Sequence, residues 1–491
     1  EVDPNTGRLN RNNANSIINP LDLHALEAAL ALRDQVGGTV TVLTMGPPQA
    51  EQVLQYAVSM GADDVYLATD RAFGGADTLA TSYTLAAAIR KLGSFDLIFC
   101  GQESLDSNTS QIGPEVAAML SMPDVSGAVD ISYEREGYIT VRRQLSDEDE
   151  VLEMKLPALI TTAESLNRPR YPSVLGIMKK DHVEIHKLTS ADLDVDPSRI
   201  GLTGSPTRVK QVRPVVPPKK ENLRIEGKTT DEAVDLRRAA MDFSDYKGIY
   251  VVGALFDGHI RKFTGEFTGE ARALADKSGE EVSVVLLGSD LKDDPQSLIA
   301  LGADHVYVMD DPLLAHYDGQ AYQKVLVKFF REKKPSTVIF GATPKGRDLA
   351  PRIAADLVCG VTADVTELDI DQDTGLVICS RPAMSGNILA DIISPDYRPQ
   401  VCTVRPGIFR SPAPDASRKG EAVHVKVELE QSDIGTILKE ILKGEKDEHP
   451  IETAKVVVAG GRGFHSKEEW DRLYELSELL GGSVGCSRPI C

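Results

Sequence analysis

Apolar positions recur at helical spacing from Leu21 to Gln35, and the stretch stops at Gly37-Gly38. Val40–Met45 follows as a short apolar run bounded by glycine, the pattern of a parallel strand buried on both faces. The alternation continues. Pro48–Met60 predicts a helix closed by Gly61, Asp64–Ala68 a strand, Asp77–Leu92 a helix rich in Ala and Thr, Asp96–Cys100 a strand, and Ser110–Leu120 a helix. Helices alternating with short buried strands imply a parallel sheet covered on both faces.

The pattern then repeats. Gly61-Ala62-Asp63-Asp64-Val65-Tyr66 returns as Gly302-Ala303-Asp304-His305-Val306-Tyr307. Val40–Gly46 matches Val282–Gly288, Leu97–Gly101 matches Thr337–Gly341, and Pro114–Leu120 matches Pro351–Leu357. Four matches in one order at nearly constant offset mark two related domains. The second copy opens on Gly248–Leu255, a strand with no counterpart in the first, so a first strand is expected to be missing ahead of Glu1. Both ends of the chain read as interior to something longer.

Between the copies, Pro206–Lys247 carries the proline-rich RPVVPPKKEN, an extended arm leading to a polar helix near Thr230–Met241. After the second copy comes a Pro/Ser/Ala linker, Arg410–Gly420. A third segment follows: a strand at Ala422–Glu428 with Val423, Val425 and Val427 on one face, a helix at Ile434–Lys443, a strand at Val456–Ala459 running into Gly460-Gly461-Arg462-Gly463, and a helix at Lys467–Leu480 bearing Trp470. The expected domains are 1–205, an arm at 206–247, 248–410, and 411–491. The fold class is α/β: two related doubly wound parallel-sheet, Rossmann-like domains plus a third, truncated α/β segment.

Composition narrows the function. The 491 residues carry 74 Asp and Glu against 54 Lys and Arg, a net charge of −20, which argues against nucleic acid as a partner. No apolar run approaches the ~18 residues of an integral membrane helix. The 6 Cys form no CxxC pair, so disulfide, zinc and iron–sulfur frameworks are not expected, and reduced thiols in the cytoplasm are. HExxH, GxSxG and Walker motifs are absent from the sequence. Sheet loops suited to nucleotides, without an acid–base set, suggest that a bound cofactor does the chemistry.

In a doubly wound sheet, ligands sit beyond the carboxyl ends of the strands. The loop Gly101–Pro114 is long, small and polar, with hydroxyls and amides that suit a phosphate; an ordinary helix cap is the alternative. Arg71–Ser82 also joins a strand to a helix, and the hydroxyls of Thr78, Thr81 and Ser82 fall near its first turn, again as phosphate ligands or as simple caps. The matching loop of the second copy, Gly341–Asp348, keeps few such groups, so the first copy is the expected nucleotide binder. Gly460–Gly463 is a glycine turn offering Arg462 to a diphosphate or to solvent.

With these residues in view, the chain resembles the electron transfer flavoprotein family, β subunit followed by α subunit, over nearly its whole length. Asn19-Pro20-Leu21-Asp22 is similar to the family's Asn-Pro turn at the β-subunit nucleotide, and Met45 falls where a residue lines that site. Asp106 to Pro114, with Asn108, Thr109, Ser110, Gln111, Ile112 and Gly113, resembles the nucleotide loop. Glu164–Tyr171 is similar to the recognition loop, in which Leu166 would peg into a partner dehydrogenase. In the tail, Arg462 corresponds to an FAD-contacting Arg and Ser487-Arg488 to a Ser-Arg pair near the flavin ring, where a cation stabilises the anionic reduced flavin.

The resemblance implies FAD in the tail, and either AMP or a second FAD in the first copy. With AMP, the protein is a simple electron carrier. With a second FAD, NADH is the donor and the electron pair is divided between two acceptors. The runs Thr109–Pro114 and Arg71–Ser82 favour this bifurcating type. The implied partners are an acyl-CoA dehydrogenase-like protein, as in fatty acid beta-oxidation, and a ferredoxin or flavodoxin as low-potential acceptor. A non-redox AMP-binding protein, or an enzyme with its own substrate pocket, would be the rivals.

Overall fold

The computed structural model describes residues 17–105, 108–145, 148–214, 243–372, 374–383, 388–442, 454, 456–461, 463 and 466–486. The chain divides into two compact units, Glu1–Ser146 with Glu150–Ile441, and Asp147–Asp149 with Leu442–Cys491. Residues 411–441 thus cluster with the large unit, not with the tail.

In the first copy, α1 (Pro20–Val36), β1 (Thr41–Met45), α2 (Glu51–Met60), β2 (Asp64–Ala68), α3 (Thr78–Leu92), β3 (Leu97–Gly101) and α4 (Ile112–Leu120) follow the sequence pattern within three residues at each end. An extension the periodicity did not single out comes next: β4 (Asp124–Ser132), β5 (Tyr138–Gln144), β6 (Asp149–Lys155) and β7 (Ala158–Thr162). Then come α5 (Val174–Lys180), β8 (His186–Leu188) and β9 (Arg208–Pro214).

The second copy starts with β10 (Ile249–Gly253) and a hairpin of β11 (Leu255–Phe256) and β12 (His259–Ile260). It continues through α6 (Lys262–Ser278), β13 (Val282–Gly288), α7 (Gln296–Ala300), β14 (His305–Asp310), α8 (Gly319–Lys333), β15 (Thr337–Gly341) and α9 (Pro344–Leu357). Its extension is β16 (Val361–Val365), β17 (Glu367–Ile370), β18 (Val377–Ala383) and β19 (Ile388–Ile393), followed by β20 (Gln400–Val404), β21 (Glu421–His424) and β22 (Thr436–Leu442).

The second copy's sheet runs β16-β20-β15-β10-β13-β14-β21, with every pairing parallel. Alternate residues of β10 feed two cores: Ile249 and Val251 pack with Phe267 on one face, Tyr250 and Val252 with Phe329 and Phe330 on the other. Burial on both faces is why these strands read as continuous apolar runs. The first copy splits the same plan into two sheets, β1-β2-β8 and β3-β7-β4-β5-β6-β22. Among the described residues no strand stands between β1 and β3, where β10 stands between β13 and β15. Accordingly β13 and β15 are buried throughout, while β1 and β3 are half-buried at every position.

Each copy's antiparallel extension is completed by the chain trailing from the other copy. β9, leaving the first copy, pairs antiparallel with β19 of the second. β22, leaving the second copy, lies beside β6 of the first. Ion pairs pin both: Arg208 to Asp396 at 2.7 Å, Lys210 to Asp371 at 2.9 Å, and Lys439 to Glu153 at 3.2 Å. The helix expected at Ile434–Lys443 is therefore a strand. Leu438 joins the core around Val125 and Ile139, and pairing with an open sheet edge outweighs the helix propensity of a Leu-, Lys- and Glu-rich run. The helix expected near Thr230–Met241 lies outside the described residues.

A buried polar network joins the copies. Arg352 on α9 pairs with Asp124 on β4 and donates to Gln323 Oε1 at 3.1 Å. Tyr317 donates to Asp348 at 2.5 Å, Ser126 donates to Asp348 at 2.9 Å, and Arg143 forks onto Glu150 at 2.6 and 2.9 Å. Burial, the largest influence on Arg352, works against its charge, but the surrounding Asp124, Asp348, Tyr317 and Asp318 hold the guanidinium above its usual pKa.

The tail unit is a small β-α-β element, with β23 (Val457–Gly460) parallel to β24 (Ser483–Cys486) and α10 (Lys467–Leu480) between them. Ser466 caps α10 by accepting from Glu469 N–H. Glycine is required at 460, because a Cβ there would come within 2.7 Å of the Trp470 ring.

Candidate functional site

Strand β3 ends against the start of α1. A Cβ on Gly101 would meet the Leu21 backbone at 2.7 Å, so only glycine permits the approach. The Asn19-Pro20-Leu21-Asp22 turn then grips the loop after β3. Gly101 N–H donates to Asp22 Oδ1 at 2.7 Å, Asn19 Nδ2 donates to the Glu103 carbonyl at 2.8 Å, and Leu105 N–H donates to Asn19 Oδ1 at 3.0 Å. Burial raises the Asp22 pKa, and the Gly101 and Asn19 donors partly offset it.

Beyond that grip, Glu103 gathers the loop. Its carboxylate accepts from Asn108 Nδ2 at 2.8 Å and from Ser110 Oγ at 3.1 Å. Asn108 and Ser110 take left-handed φ values of 50° and 56°. The backbone then turns into α4, whose leading residue, Gln111, makes no side-chain cap. Pro114 brings no N–H, so the first turn offers those of Ile112 and Gly113 to an anion. Gly113 lets α4 sit hard on the sheet, since a Cβ would fall 2.4 Å from Thr161 Cγ2. Gln111 is only 2% exposed; its amide donates to the Val361 carbonyl of the second copy at 3.1 Å, and its Oε1 is buried without a partner. A buried, orphaned carbonyl at an uncapped helix start fits a polar ligand.

The second expected loop, Arg71–Ser82, leads into α3. Asp77 caps α3 through Ala80 N–H and accepts from Thr207 N–H at 2.9 Å and Oγ1 at 2.7 Å. Thr78 and Ser82, expected either to hold phosphate or to act as simple caps, donate to Glu115 at 3.2 and 2.7 Å. Glu115 is 1% exposed, and burial pushes its pKa up to about 8 against the pull of those hydroxyls.

Asn19, Asp22, Met45, Thr78, Thr109, Gln111, Ile112 and Gly113 line one open cavity. Pro20, Leu21, Ser82, Asn108 and Ser110 are not among the residues that line it. Asp106, Arg462, Ser487 and Arg488 lie outside the described residues. The second copy adds Val361, Thr362, Ala363 and Arg381 to the lining, residues no local motif singled out. Their only signal is the repeat, which sets the two copies' equivalent helices α4 and α9 face to face.

Leu166 sits half-buried in a single 3-10 turn, Glu164–Leu166. The following residues lock onto α1: Asn167 Nδ2 donates to the His24 carbonyl at 2.9 Å, and Arg170 binds Glu27 at 2.8 Å and Asp34 at 2.8 Å. Gly176 of α5 presses on the Ser59 carbonyl, where a Cβ would fall at 2.2 Å, and that orientation turns apolar groups outward. Tyr171 is 92% exposed and Leu175 79%, with Val174 and Met178 beside them. Exposed apolar groups held together on a fixed support are the usual make-up of a protein-docking surface.

Among the described residues no helix is long and apolar enough to cross a membrane, and no group of three or more His, Cys, Asp or Glu could hold a metal ion.

Compared with known proteins, residues 6–193 and 251–430 each match the electron transfer flavoprotein domain, and residues 450–491 match the electron transfer flavoprotein FAD-binding domain. An electron transfer flavoprotein subunit alpha of Megasphaera elsdenii is 48% identical over 250 residues, 50% of this chain and 74% of that protein. A subunit beta of Thermoanaerobacterium thermosaccharolyticum is 47% identical over 209 residues, 42% of this chain and 80% of that protein. The caffeyl-CoA reductase-Etf complex subunit CarD of Acetobacterium woodii is 46% identical over 234 residues, 47% of this chain and 88% of that protein.

Proposed function

Because this chain belongs to the electron transfer flavoprotein family, uniting a β-type and an α-type stretch, we propose that it carries electrons from NADH to an acyl-CoA dehydrogenase-like partner, with a second nucleotide, FAD, in the first copy. The FAD-binding match at residues 450–491 supports FAD in the tail. The observation that carries the second site is the cradle at α4: an uncapped helix start, a left-handed loop and the orphaned Gln111 Oε1 on one cavity wall.

FAD, when bound, supplies the ability to accept an electron pair as hydride and to pass electrons on singly. The chain's residues do the rest. The Ile112 and Gly113 amides hold a phosphate, the Gln111 carbonyl accepts a hydrogen bond from ligand, and Asn19 with Asp22 keeps the loop in register. Leu166 and the exposed face of α5 seat the partner. The kinship with a subunit of a caffeyl-CoA reductase complex supports a partner acting on CoA thioesters. A ferredoxin or flavodoxin would take the low-potential electron.

The test is a cofactor count on the purified, FAD-saturated protein. Two FAD per chain, both reduced by NADH without oxygen, support this assignment. One FAD plus one AMP would make the protein a simple carrier, and a colourless protein holding AMP alone would make it non-redox.

A further inference from the structure

Glu115 is the acid in the first turn of α4, and the assigned function makes no use of it. It is 1% exposed. Helical side chains lean toward the N-terminus of their helix, and the contacts of Glu115 agree. One carboxylate oxygen accepts from Thr78 at 3.2 Å and the other from Ser82 at 2.7 Å, both near the start of α3. Thr78 lines the same cavity as Gln111, Ile112 and Gly113. The carboxyl therefore lies directly behind the turn whose Ile112 and Gly113 amides face an anion.

No positive charge compensates it. From α3 come the two hydroxyls and the Asp77 carboxylate, which caps that helix through Ala80 N–H. From the second copy, α9 packs along α4 with Arg352 already paired to Asp124, and Asp348 already accepting from Tyr317. Just past α9 stands the Cys359 thiol, pushed up by burial and then by Glu115 itself. From β7, Thr161 meets α4 beside Gly113. Among the described residues no lysine, arginine or histidine pairs with Glu115.

A phosphate on the first turn of α4 brings more negative charge beside this carboxyl, in surroundings that exclude water and so strengthen repulsion. Like charges sharing a buried site do not all stay ionised, and the group that protonates most easily takes the proton. A phosphate monoester keeps its second charge down to about pH 6. Glu115, raised to about 8 by burial first and Asp77 second, takes the proton before the ligand does.

Resting on the nucleotide assignment above, we infer that Glu115 is a positioning residue of the first-copy cradle, which takes up a proton from solvent when a nucleotide phosphate settles on α4. The protonated carboxyl donates to Thr78 Oγ1 where the ionised one accepted from it. The Thr78 hydroxyl proton is thereby released to the cavity, as a donor to the ligand. The positive end of α4 is left to the phosphate alone.

The experiment is titration calorimetry of the full chain with ADP, from pH 7 to 9, in buffers of different ionisation enthalpy, which counts the protons taken up per ADP bound. A Gln111→Leu variant identifies which binding event belongs to the cradle. Wild type is expected to take up about half a proton near pH 8, and to bind ADP about five- to tenfold more weakly at pH 9 than at pH 7. In Glu115→Gln the amide stands for the protonated acid, so binding is expected without proton uptake and with an affinity that varies less than about twofold over the same range. Ser82→Ala removes a hydroxyl that stabilises the ionised carboxylate, and should move the uptake to higher pH. Thermal unfolding of the ligand-free variants separates lost binding from lost fold. Wild-type binding without proton uptake, undiminished uptake in Glu115→Gln, or an uptake curve that Ser82→Ala leaves in place overturns the assignment while the nucleotide cradle stands. A wild-type chain that binds no ADP overturns both.

Discussion

Replacing Arg352 with leucine is expected to destabilise the large unit by about 3–5 kcal/mol, the range for removing one partner of a buried ion pair. The structure supports that range because the Arg352 and Asp124 side chains are 1% and 0% exposed. Without the guanidinium, Asp124 is left buried among β4 and α9, Gln323 loses its donor at 3.1 Å, and Asp348 loses a nearby cation. Asp124→Leu should cost a similar amount, by stranding Arg352. The double variant removes both charges and leaves apolar side chains that can pack, so its cost should fall well below the sum of the singles, by about 2 kcal/mol or more of coupling. Urea unfolding followed by far-UV circular dichroism, compared at constant m, measures all four proteins. A single-variant cost under about 1 kcal/mol, or strict additivity in the double, would refute the view that the copies are joined by a charge-matched contact.

Three further outcomes follow from named contacts. Glu115 has a folded pKa near 8, above the ordinary carboxylate value, so the folded state holds the proton more tightly and its contribution to stability falls between about pH 4.5 and 8. Glu115→Gln should remove that slope; melting temperatures from pH 5 to 9 must show a gap in the variant's favour that widens with pH, and a constant gap would reject it. Gly113→Ala gains about 1 kcal/mol of helix propensity but drives a methyl to 2.4 Å from Thr161, so a net loss of about 1–3 kcal/mol and weaker ADP binding are expected, with stabilisation the contrary result. Leu166→Ala and Leu175→Ser should slow electron delivery to an acyl-CoA dehydrogenase by about tenfold or more with the flavin spectrum unchanged; an unaltered rate would exclude this docking face.

The parallel cores were legible because strands such as Val282–Gly288 are buried on both faces and write themselves as unbroken apolar runs. The antiparallel extensions were not. β22 carries a helix-forming composition, and only the edge of β6, far away in sequence, makes it a strand. The position of the cradle was also legible, since glycine and small polar residues after a strand are a local signal. The duties of its residues were not local. Thr78 and Ser82 sit where phosphate ligands would, but Glu115, more than thirty positions on, claims their hydroxyl protons. Asn19 and Asp22 hold a loop, and Arg381 reaches the site from the other copy, which no spacing rule connects to Gln111.

The crossing of β9 and β22 between the copies has a consequence for assembly. Made as separate polypeptides, each half would lend a strand and leave one of its own edges bare until the other arrived, so its stability would fall on dilution. Written into one chain, the exchange becomes a ring closure, indifferent to concentration and fixed at one β-type half per α-type half. A protein of this kind should be insensitive to the unequal expression that would strand half of a two-gene pair.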